Sequence, residues 1–541
     1  MGVDGPQLLY ADLDLVERSS LAGALGLARG ADQQQLILAA WRRWGSATPE
    51  HLNGQFSFVV WQGRSVFLVR DHFGMTPLVY GRVPEGVVAG GDLRVALQDD
   101  GISDDIDTDV LATVFLAGHP RHWNTLGRTC FRDLDAVKPA VRVEVGPHAT
   151  TESRYWDPRD VAIRRESDPA ALVGSFRELL IDAVTQTTPT DGVLVAHLSG
   201  GLDSSGIAAI ATGVRREAGA ADPLTLSWSP GPEHGPTEEH DRAESVADEY
   251  GLELLYAPVT VEDRIEQFYR DRTRDPGGMV ASEAAPMRIA ADRGASVVLS
   301  GWGGDELASF SGRGLIVREL VRAGRWTPLA AMVLRERRGW RSLASGLVRK
   351  PGSNFAESAK STLEEKRQQA LVHGSWLKHE VLAEATLPDE PAGTKQAHEY
   401  MAMLLDRGHL GIRGVDWGRE AAQHGIRYRY PLLDKRIVEF SLGVRTEMLL
   451  MRGGRRRWIF ASALEGIVPD VVRFGVKQED ALNEWRQRTG REANERACSD
   501  LAERVAGGRQ QQYFDIPRVQ EQLRRPGAGG GGPVSWIGVP R

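Results

Sequence analysis

The sequence predicts an α/β protein in two parts: a β-rich N-terminal domain, then a domain built on a doubly wound parallel sheet with a helical extension. Three observations carry this. Short apolar runs broken by glycine and charged turns fill residues 1–155. From residue 165 onward, strand-like runs alternate with helical patterns, and beyond about residue 315 the pattern is mostly helical. At 541 residues the chain is long enough for two to four domains that each bury a core.

Taken in order, Gln55 to Trp61 and Ser65 to Arg70 read as strands paired around the Gln62-Gly63-Arg64 turn. Val87-Val88-Ala89 and Val141 to Val145 continue the β character. The polar, proline-containing stretch Gly146 to Asp168 reads as a linker. Ser167-Asp168-Pro169 then supplies a cap and a first-turn proline for a helix through Ala183. The apolar run Val193 to Ala196, a glycine-rich turn and Ile207 to Ile210 read as strand, turn and helix start. Leu224 to Trp228, Leu252 to Tyr256 and Ser296 to Leu299 are further strands, with a helix over about Glu239 to Tyr250. Such alternation implies a parallel sheet covered by helices, with ligands at the C-terminal ends of its strands. The end of the chain, from Arg524 through a run of glycines, reads as a flexible tail over 524–541.

Composition excludes some classes. With 41% hydrophobic and 26% charged residues and a net charge of −7, nothing points to nucleic acid as a partner. Cys130 and Cys498 are the only cysteines, too few for a disulfide framework or a cysteine metal site. No apolar run approaches bilayer length and Met1-Gly2-Val3-Asp4 is no signal peptide, so the expectation is a soluble cytoplasmic enzyme without a membrane partner.

The chemistry is expected at two turns. In Ser199-Gly200-Gly201-Leu202-Asp203-Ser204-Ser205, glycines let the backbone approach a ligand, and amides and hydroxyls converge at a helix start. That nest suits a di- or triphosphate, and no lysine follows the glycines as in the G-x-x-x-x-G-K-[ST] loop. Ser300-Gly301-Trp302-Gly303-Gly304-Asp305-Glu306 follows another apolar run, Val297 to Leu299.

The first turn resembles the S-G-G-x-D-S signature of ATP pyrophosphatases in its asparagine-synthetase-like form, and the second resembles that family's S-G-x-G-x-D-E loop. Enzymes of this kind split ATP to AMP and pyrophosphate to activate a carboxylate. The resemblance implies ATP and Mg²⁺. Asp203 and Asp305 would face each other across pyrophosphate and hold the metal, which favours carboxylate and phosphate oxygens. Ser199, Gly200, Gly201, Ser204, Ser205, Ser227, Gly301 and Gly303 would line the nucleotide site. Tyr430-Pro431-Leu432-Leu433-Asp434, with Arg429, is similar to the family's R-x-P-F-L-D segment, although Arg427 stands where glutamate is usual; Arg429 and Asp434 are expected to be structural. Val468-Pro469 to Gln478 resembles an L-P-x-x-V-x-x-R-x-K ending, which gives Lys477 the role of touching phosphates and the adenylated intermediate. Arg455-Arg456-Arg457 reads as a solvated run from which one arginine reaches pyrophosphate.

Leu52 to Phe58 and Arg70 to Tyr80 are similar to the glutamine-amidotransferase domain of asparagine synthetases, a class II, αββα-type fold. That domain uses an N-terminal cysteine; here position 2 is glycine and no cysteine precedes Cys130. Residues 1–155 are therefore expected to lack glutamine hydrolysis and to persist as a structural partner of a ligase unit over 165–541.

Trp302 stands where asparagine synthetases have glutamate and β-lactam synthetases have tyrosine. Residues 311–400 look like a helical insertion, and 311–350 hold ten Arg/Lys against two Asp/Glu, with Trp326 and Trp340 interleaved. This profile resembles the lasso-peptide cyclases, which join a peptide's N-terminal amine to an Asp or Glu side chain. The resemblance implies a precursor peptide substrate, a leader-peptide-recognition protein and a leader peptidase as partners, with Asp203, Asp305, Lys477 and Trp302 as catalytic residues. An α-amine with a pKa of about 8 is already neutral to the order of a tenth near pH 7, so a strong base is less needed than a shaped pocket. A small-molecule amide ligase of the β-lactam synthetase or ammonia-using type, and a non-catalytic scaffold, are the alternatives.

Overall fold

Alternation along one strand sets the layering of the N-terminal domain in the computed structural model. The strands there are β1 (Gln7–Leu15), β2 (Gly54–Gln62), β3 (Ser65–Arg70), β4 (Val79–Val83), β5 (Gly86–Gly90), β6 (Asp135–Ala136), β7 (Val141–Val145) and β8 (Thr150–Arg154). From β2, Phe56, Phe58 and Val60 cluster with Ile37 and Trp41 of helix α1 (Gln33–Trp44). Val59 joins the opposite cluster with Leu68, Tyr80 and Val143, between the sheet β1-β2-β3-β7-β8 and the smaller sheet β5-β4-β6. Side chains of period two thus feed two cores from one strand. The hairpin is one residue tighter than expected: Gln62 pairs with Ser65, leaving Gly63-Arg64 at the tip.

The structure describes residues 5–117, 127–164, 168–270 except 236, 281–310, 315–330 except 323 and 328, 362–388, 396–475 except 446–447, 449–450 and 453–454, 484–496 except 486 and 494, and 509–523. Lys477, Trp340, Cys498, most of the basic stretch and the glycine-rich tail lie outside them.

Part of the expected linker from Gly146 is a strand. Thr150–Arg154 forms β8 at the sheet edge, and its polar composition reflects an edge strand with mostly exposed side chains. Tyr155 then donates to the Arg70 carbonyl at 2.6 Å, and the Trp156 indole to Glu439 at 2.9 Å. After Trp156, Asp157 caps a short helical turn at Pro158–Asp160.

Asp168 caps the next long helix through the amides of Ala170 and Ala171, as its sequence predicts. With α2 defined as Thr108–Ala117, this helix is α3 (Pro169–Thr187). The second sheet holds β9 (Val193–His197), β10 (Leu224–Ser227), β11 (Leu254–Tyr256), β12 (Ala295–Leu299) and β13 (Arg427–Arg429), all parallel, in the order β11-β10-β9-β12-β13. The order reverses between β9 and β12, which is where such sheets open a crevice for ligands. The two glycine-rich turns leave those two strands. Helices α4 (Leu202–Glu217), α5 (Glu238–Tyr250) and α6 (Ala281–Asp292) connect the strands.

The helical region after β12 is divided between the two parts of the molecule. Helix α7 (Leu363–His373) and residues 376–385 pack with Phe514 and Val519 onto Val110, Leu111 and Val114 of α2, in the N-terminal domain. Helices α8 (His409–Gln423) and α9 (Lys435–Gly443) instead belong to the core around the parallel sheet. Between α8 and α9, β13 and its flanks are gripped by the N-terminal domain. Arg429 pairs with Asp14 at 2.7 Å and Arg427 with Asp12 at 2.7 Å, while Asn53 donates to Asp434 at 3.0 Å and accepts from the Lys435 amide at 3.0 Å.

Candidate active site

The turn after β9 is built to lie flat against α5. Gly200 has φ 70, and a Cβ there would stand 2.3 Å from the Glu239 carbonyl oxygen, so only glycine fits. Helix α4 then starts, with Gly201 as its N-cap and Asp203 in its first turn. Ser204 closes the loop: its hydroxyl accepts from the Ser199 amide at 3.2 Å and lies 3.0 Å from the Ser199 hydroxyl. The free end of α4, with its amides and dipole, faces the same crevice. Ser205 is fully buried behind it. Ser227, at the end of β10, is buried with its hydroxyl 3.2 Å from that of Ser229.

The turn after β12 packs directly on the first. The Ser300 amide donates to the Arg429 carbonyl of β13 at 3.0 Å. Gly303, with φ 93, leads into a single π-helical turn, Gly304–Ala308. A Cβ on Gly304 would lie 2.4 Å from Asp203 Cγ, and one on Gly301 2.8 Å from the Ser204 amide nitrogen. Such contact brings Asp203 and Asp305 together, and both meet one guanidinium. Arg457 donates to Asp305 Oδ1 and lies 3.9 Å from Asp203 Oδ2.

The electrostatics mark Asp203. Its side chain is 14% exposed and its Oδ1 is buried without a hydrogen-bond partner among the described residues. Burial first, and then the Asp305 carboxylate, push its pKa up to about 7, against the pull of Arg457. No group of three or more His, Cys, Asp or Glu suited to a metal occurs among the described residues. Two carboxylates with an orphaned oxygen form a partial ligand set, of the kind that phosphate oxygens and water complete for Mg²⁺. Arg457 itself was expected in a solvated run. It has φ 54 and starts helix α10 (Trp458–Ala463), a left-handed conformation that a non-glycine residue adopts at a cost.

Trp302 is walled in rather than exposed. Its indole donates to the Leu410 carbonyl at 3.1 Å, and Arg413 Cζ sits 3.9 Å from its ring centre. Trp417, Trp228, His197 and Tyr428 extend this wall through ring contacts of 3.8–6.1 Å. At its centre Glu283, fully buried, accepts from the Trp228 indole at 2.9 Å and from the Tyr428 hydroxyl. Burial lowers the His197 pKa to about 3, which keeps the ring neutral. Of these residues only Trp302 was singled out from the sequence; the others come from five separate parts of the fold and share no spacing.

The remaining motif residues are structural where they are described. Arg429 holds Asp14 and donates to the Thr187 carbonyl at 2.9 Å, and Asp434 caps α9. Arg473 donates to the Ala461 carbonyl at 2.9 Å. Glu306 is buried, 3.7 Å from His409, and its charge also acts on Arg457.

Residues 175–535 match the family model "Asparagine synthase" and residues 18–156 match "Glutamine amidotransferase domain". The chain belongs to the asparagine synthase family. "Asparagine synthetase [glutamine-hydrolyzing] 3" of Bacillus subtilis (strain 168) is 25% identical over 82% of this chain and 69% of that protein. "Asparagine synthetase [glutamine-hydrolyzing] 1" of the same organism is 24% identical over 83% and 73%. A "Putative asparagine synthetase [glutamine-hydrolyzing]" of Mycobacterium bovis is 28% identical over 50% of this chain and 42% of its own length. Membership makes this asparagine synthase-like protein an ATP-dependent carbon–nitrogen ligase, with its amidotransferase-like part over the β-rich domain. No helix of the described residues is long and apolar enough to cross a membrane.

Proposed function

We propose that the protein is a lasso peptide cyclase. It adenylates an Asp or Glu side chain of a precursor peptide and closes a macrolactam on the peptide's N-terminal amine. The observation that carries this reading is the pairing of Asp203 and Asp305 across two interlocked turns, next to a wall of Trp302, Trp417 and Trp228 rather than an exposed acidic pocket.

The substrate carboxylate oxygen attacks the α-phosphorus of ATP, and the bond to the β-phosphate oxygen breaks. Pyrophosphate leaves on the α4 end, within reach of Ser199, Gly201, Ser204 and Arg457. Asp203 and Asp305 would hold Mg²⁺, which supplies charge neutralisation to the phosphates when bound. The neutral amine then attacks the acyl carbon, the carbon–oxygen bond to AMP breaks, and the amine proton is lost to solvent. Lys477 is assigned to the phosphates and the adenylate, as the family ending implies. The aromatic wall keeps water from the activated acyl group and restricts the folded peptide, so that the amine stays close to it.

The precursor's leader would be handled by a leader-recognition protein and a leader peptidase, and the compartment would be the cytoplasm, where ATP is available. The amidotransferase-like domain serves as a brace on β13. A second reading, a small-molecule amide ligase, draws support from the names of the relatives above.

ATP/pyrophosphate exchange decides between them. With a precursor peptide carrying a small N-terminal residue and an acid seven to nine residues on, exchange and loss of one water from the peptide are expected. Asp203→Ala and Lys477→Ala should abolish both. Exchange with free aspartate or another amino acid, and none with any peptide, would replace the cyclase reading by the small-molecule one.

A further inference from the structure

A cavity of about 300 Å³ opens beside the first turn of α5, between residues 229–240 and 484–491. Its lining includes His234, Glu239, Glu484, Trp485, Arg488 and Arg491, and no residue of the two glycine-rich turns. It is near them all the same: Glu239 lines the cavity, and its carbonyl oxygen lies 2.3 Å from where a Gly200 Cβ would stand. His240 ties one wall together. Its Nδ1 accepts from the Thr237 amide at 3.1 Å, which leaves Nε2 to donate to the Pro230 carbonyl at 2.8 Å.

The opposite wall is pinned from behind. Residues 487–493 are helical; the Trp485 indole donates to the Val259 carbonyl at 3.2 Å, and Arg264 donates to the Thr489 hydroxyl at 3.2 Å. Arg488 and Arg491, neighbours three residues apart on that helix, are left exposed at the cavity. Neither makes a hydrogen bond or an ion pair among the described residues. Arg488 Cζ lies 4.7 Å from the Trp485 ring centre, and the His234 ring is 5.2 Å from it on centres. A guanidinium resting on an indole keeps its in-plane N–H edge for a ligand.

Two such forks side by side suit an oxyanion. Glu239 and Glu484, on the same cavity, oppose a di- or triphosphate, so a single carboxylate fits better. Glu484 can also accept a peptide N–H that precedes such a carboxylate. The carboxyl group awaiting activation belongs at Asp203 and Asp305, which do not line this cavity. In a peptide whose amine and one acid close the ring, the carboxylate left over in every case is the C-terminus.

We propose that this cavity receives the free C-terminal carboxylate of the substrate peptide, held by Arg488 and Arg491 beside Trp485. This rests on the peptide-cyclase reading above and adds where the far end of that substrate is held.

The test is isothermal titration calorimetry of the full chain with N-acetyl-glycyl-L-phenylalanine and with its C-terminal amide, each with and without Mg²⁺ and α,β-methylene-ATP. Saturable binding of the acid, unaltered by the ATP analogue, and none of the amide are expected. Replacing both arginines (Arg488→Gln with Arg491→Gln) should weaken the acid about tenfold or more, and lysine at both positions should recover part of it. Unchanged affinity for the ATP analogue certifies the fold; if the double variant fails that control, the single variants carry the comparison. For a cyclised peptide, KM should rise about tenfold when its C-terminus is an amide, at unchanged kcat. No saturable binding of the acid, equal binding of acid and amide, competition with the ATP analogue, full affinity in the folded variants or an unchanged KM would overturn the site. Acid binding with these properties, and no peptide cyclised, would instead overturn only the cyclase reading.

Discussion

A carboxylate buried beside a second carboxylate resists ionisation, and Asp203 is in that position. The role proposed for it needs the charged form, because a carboxylate holds a divalent ion beside phosphates far better than a carboxylic acid. Two opposite outcomes follow from one substitution. Asp203→Asn should abolish pyrophosphate exchange and yet stabilise the fold. The folded pKa is raised from the ordinary carboxylate value to about 7, so the native state favours the proton. The wild type therefore loses stability as pH rises from about 4 to about 7, and the advantage of Asn grows over that window and holds above it. Denaturant melts at pH 5 and pH 8 check the sign. In the wild type, affinity for the Mg²⁺ complex of an ATP analogue should fall as pH drops through about 7, because Asp203 takes up its proton. Asp203 and Asp305 were both legible in the sequence, because each follows a strand-like run and a glycine turn. Arg457 was not: three consecutive arginines give no sign of which one turns inward.

At the scale of elements, the site depends on two turns touching without side chains between them. Gly304→Ala puts a methyl where Asp203 Cγ lies within 2.4 Å, so the turns must separate. Exchange velocity should fall about a hundredfold, as an ångström of misplacement costs at a reacting centre. Thermal stability should drop only modestly, since β9 and β12 stay paired beneath. Loss of stability without loss of exchange would remove the argument that turn contact sets the aspartate geometry. Strands β9 to β12 could be read from short apolar runs, and the cap at Asp168 from local chemistry. β13 could not, because Arg427–Arg429 is short and polar and becomes a strand only by pairing with Val297–Leu299. β8 was hidden for a related reason: an edge strand with a wet face has the composition of a linker.

Across the whole molecule, the two domains share the 427–436 segment. Asp12 and Asp14 from β1 pair with Arg427 and Arg429, and Arg436 pairs with Glu17 at 3.1 Å. The N-terminal domain thus fixes the edge strand whose following residue, Tyr430, reaches the aromatic wall. Replacing both Asp12 and Asp14 by Asn should weaken the interface by about 1–2 kcal/mol, given that the pairs are partly exposed. Calorimetry should then show one unfolding transition resolving into two, with lower exchange velocity at unchanged affinity for the ATP analogue. A single, unshifted transition would mean that apolar contacts alone join the domains. The same coupling explains why the helical extension is not purely a part of the ligase: α7 and Phe514 complete a core whose other half is α2.

By itself the sequence determined the two-part α/β organisation, the two glycine-rich turns and the pair of aspartates on them, because these rest on local rules: strand runs, glycine where the backbone must turn, and caps at helix starts. Tertiary structure alone decided that Arg457 joins that pair, that Arg413 and Trp417 meet Trp302, and that β13 is held from outside its own domain. Those contacts join residues with no shared period, and only the packing of α8, α10 and β1 around the sheet brings them within reach of one another.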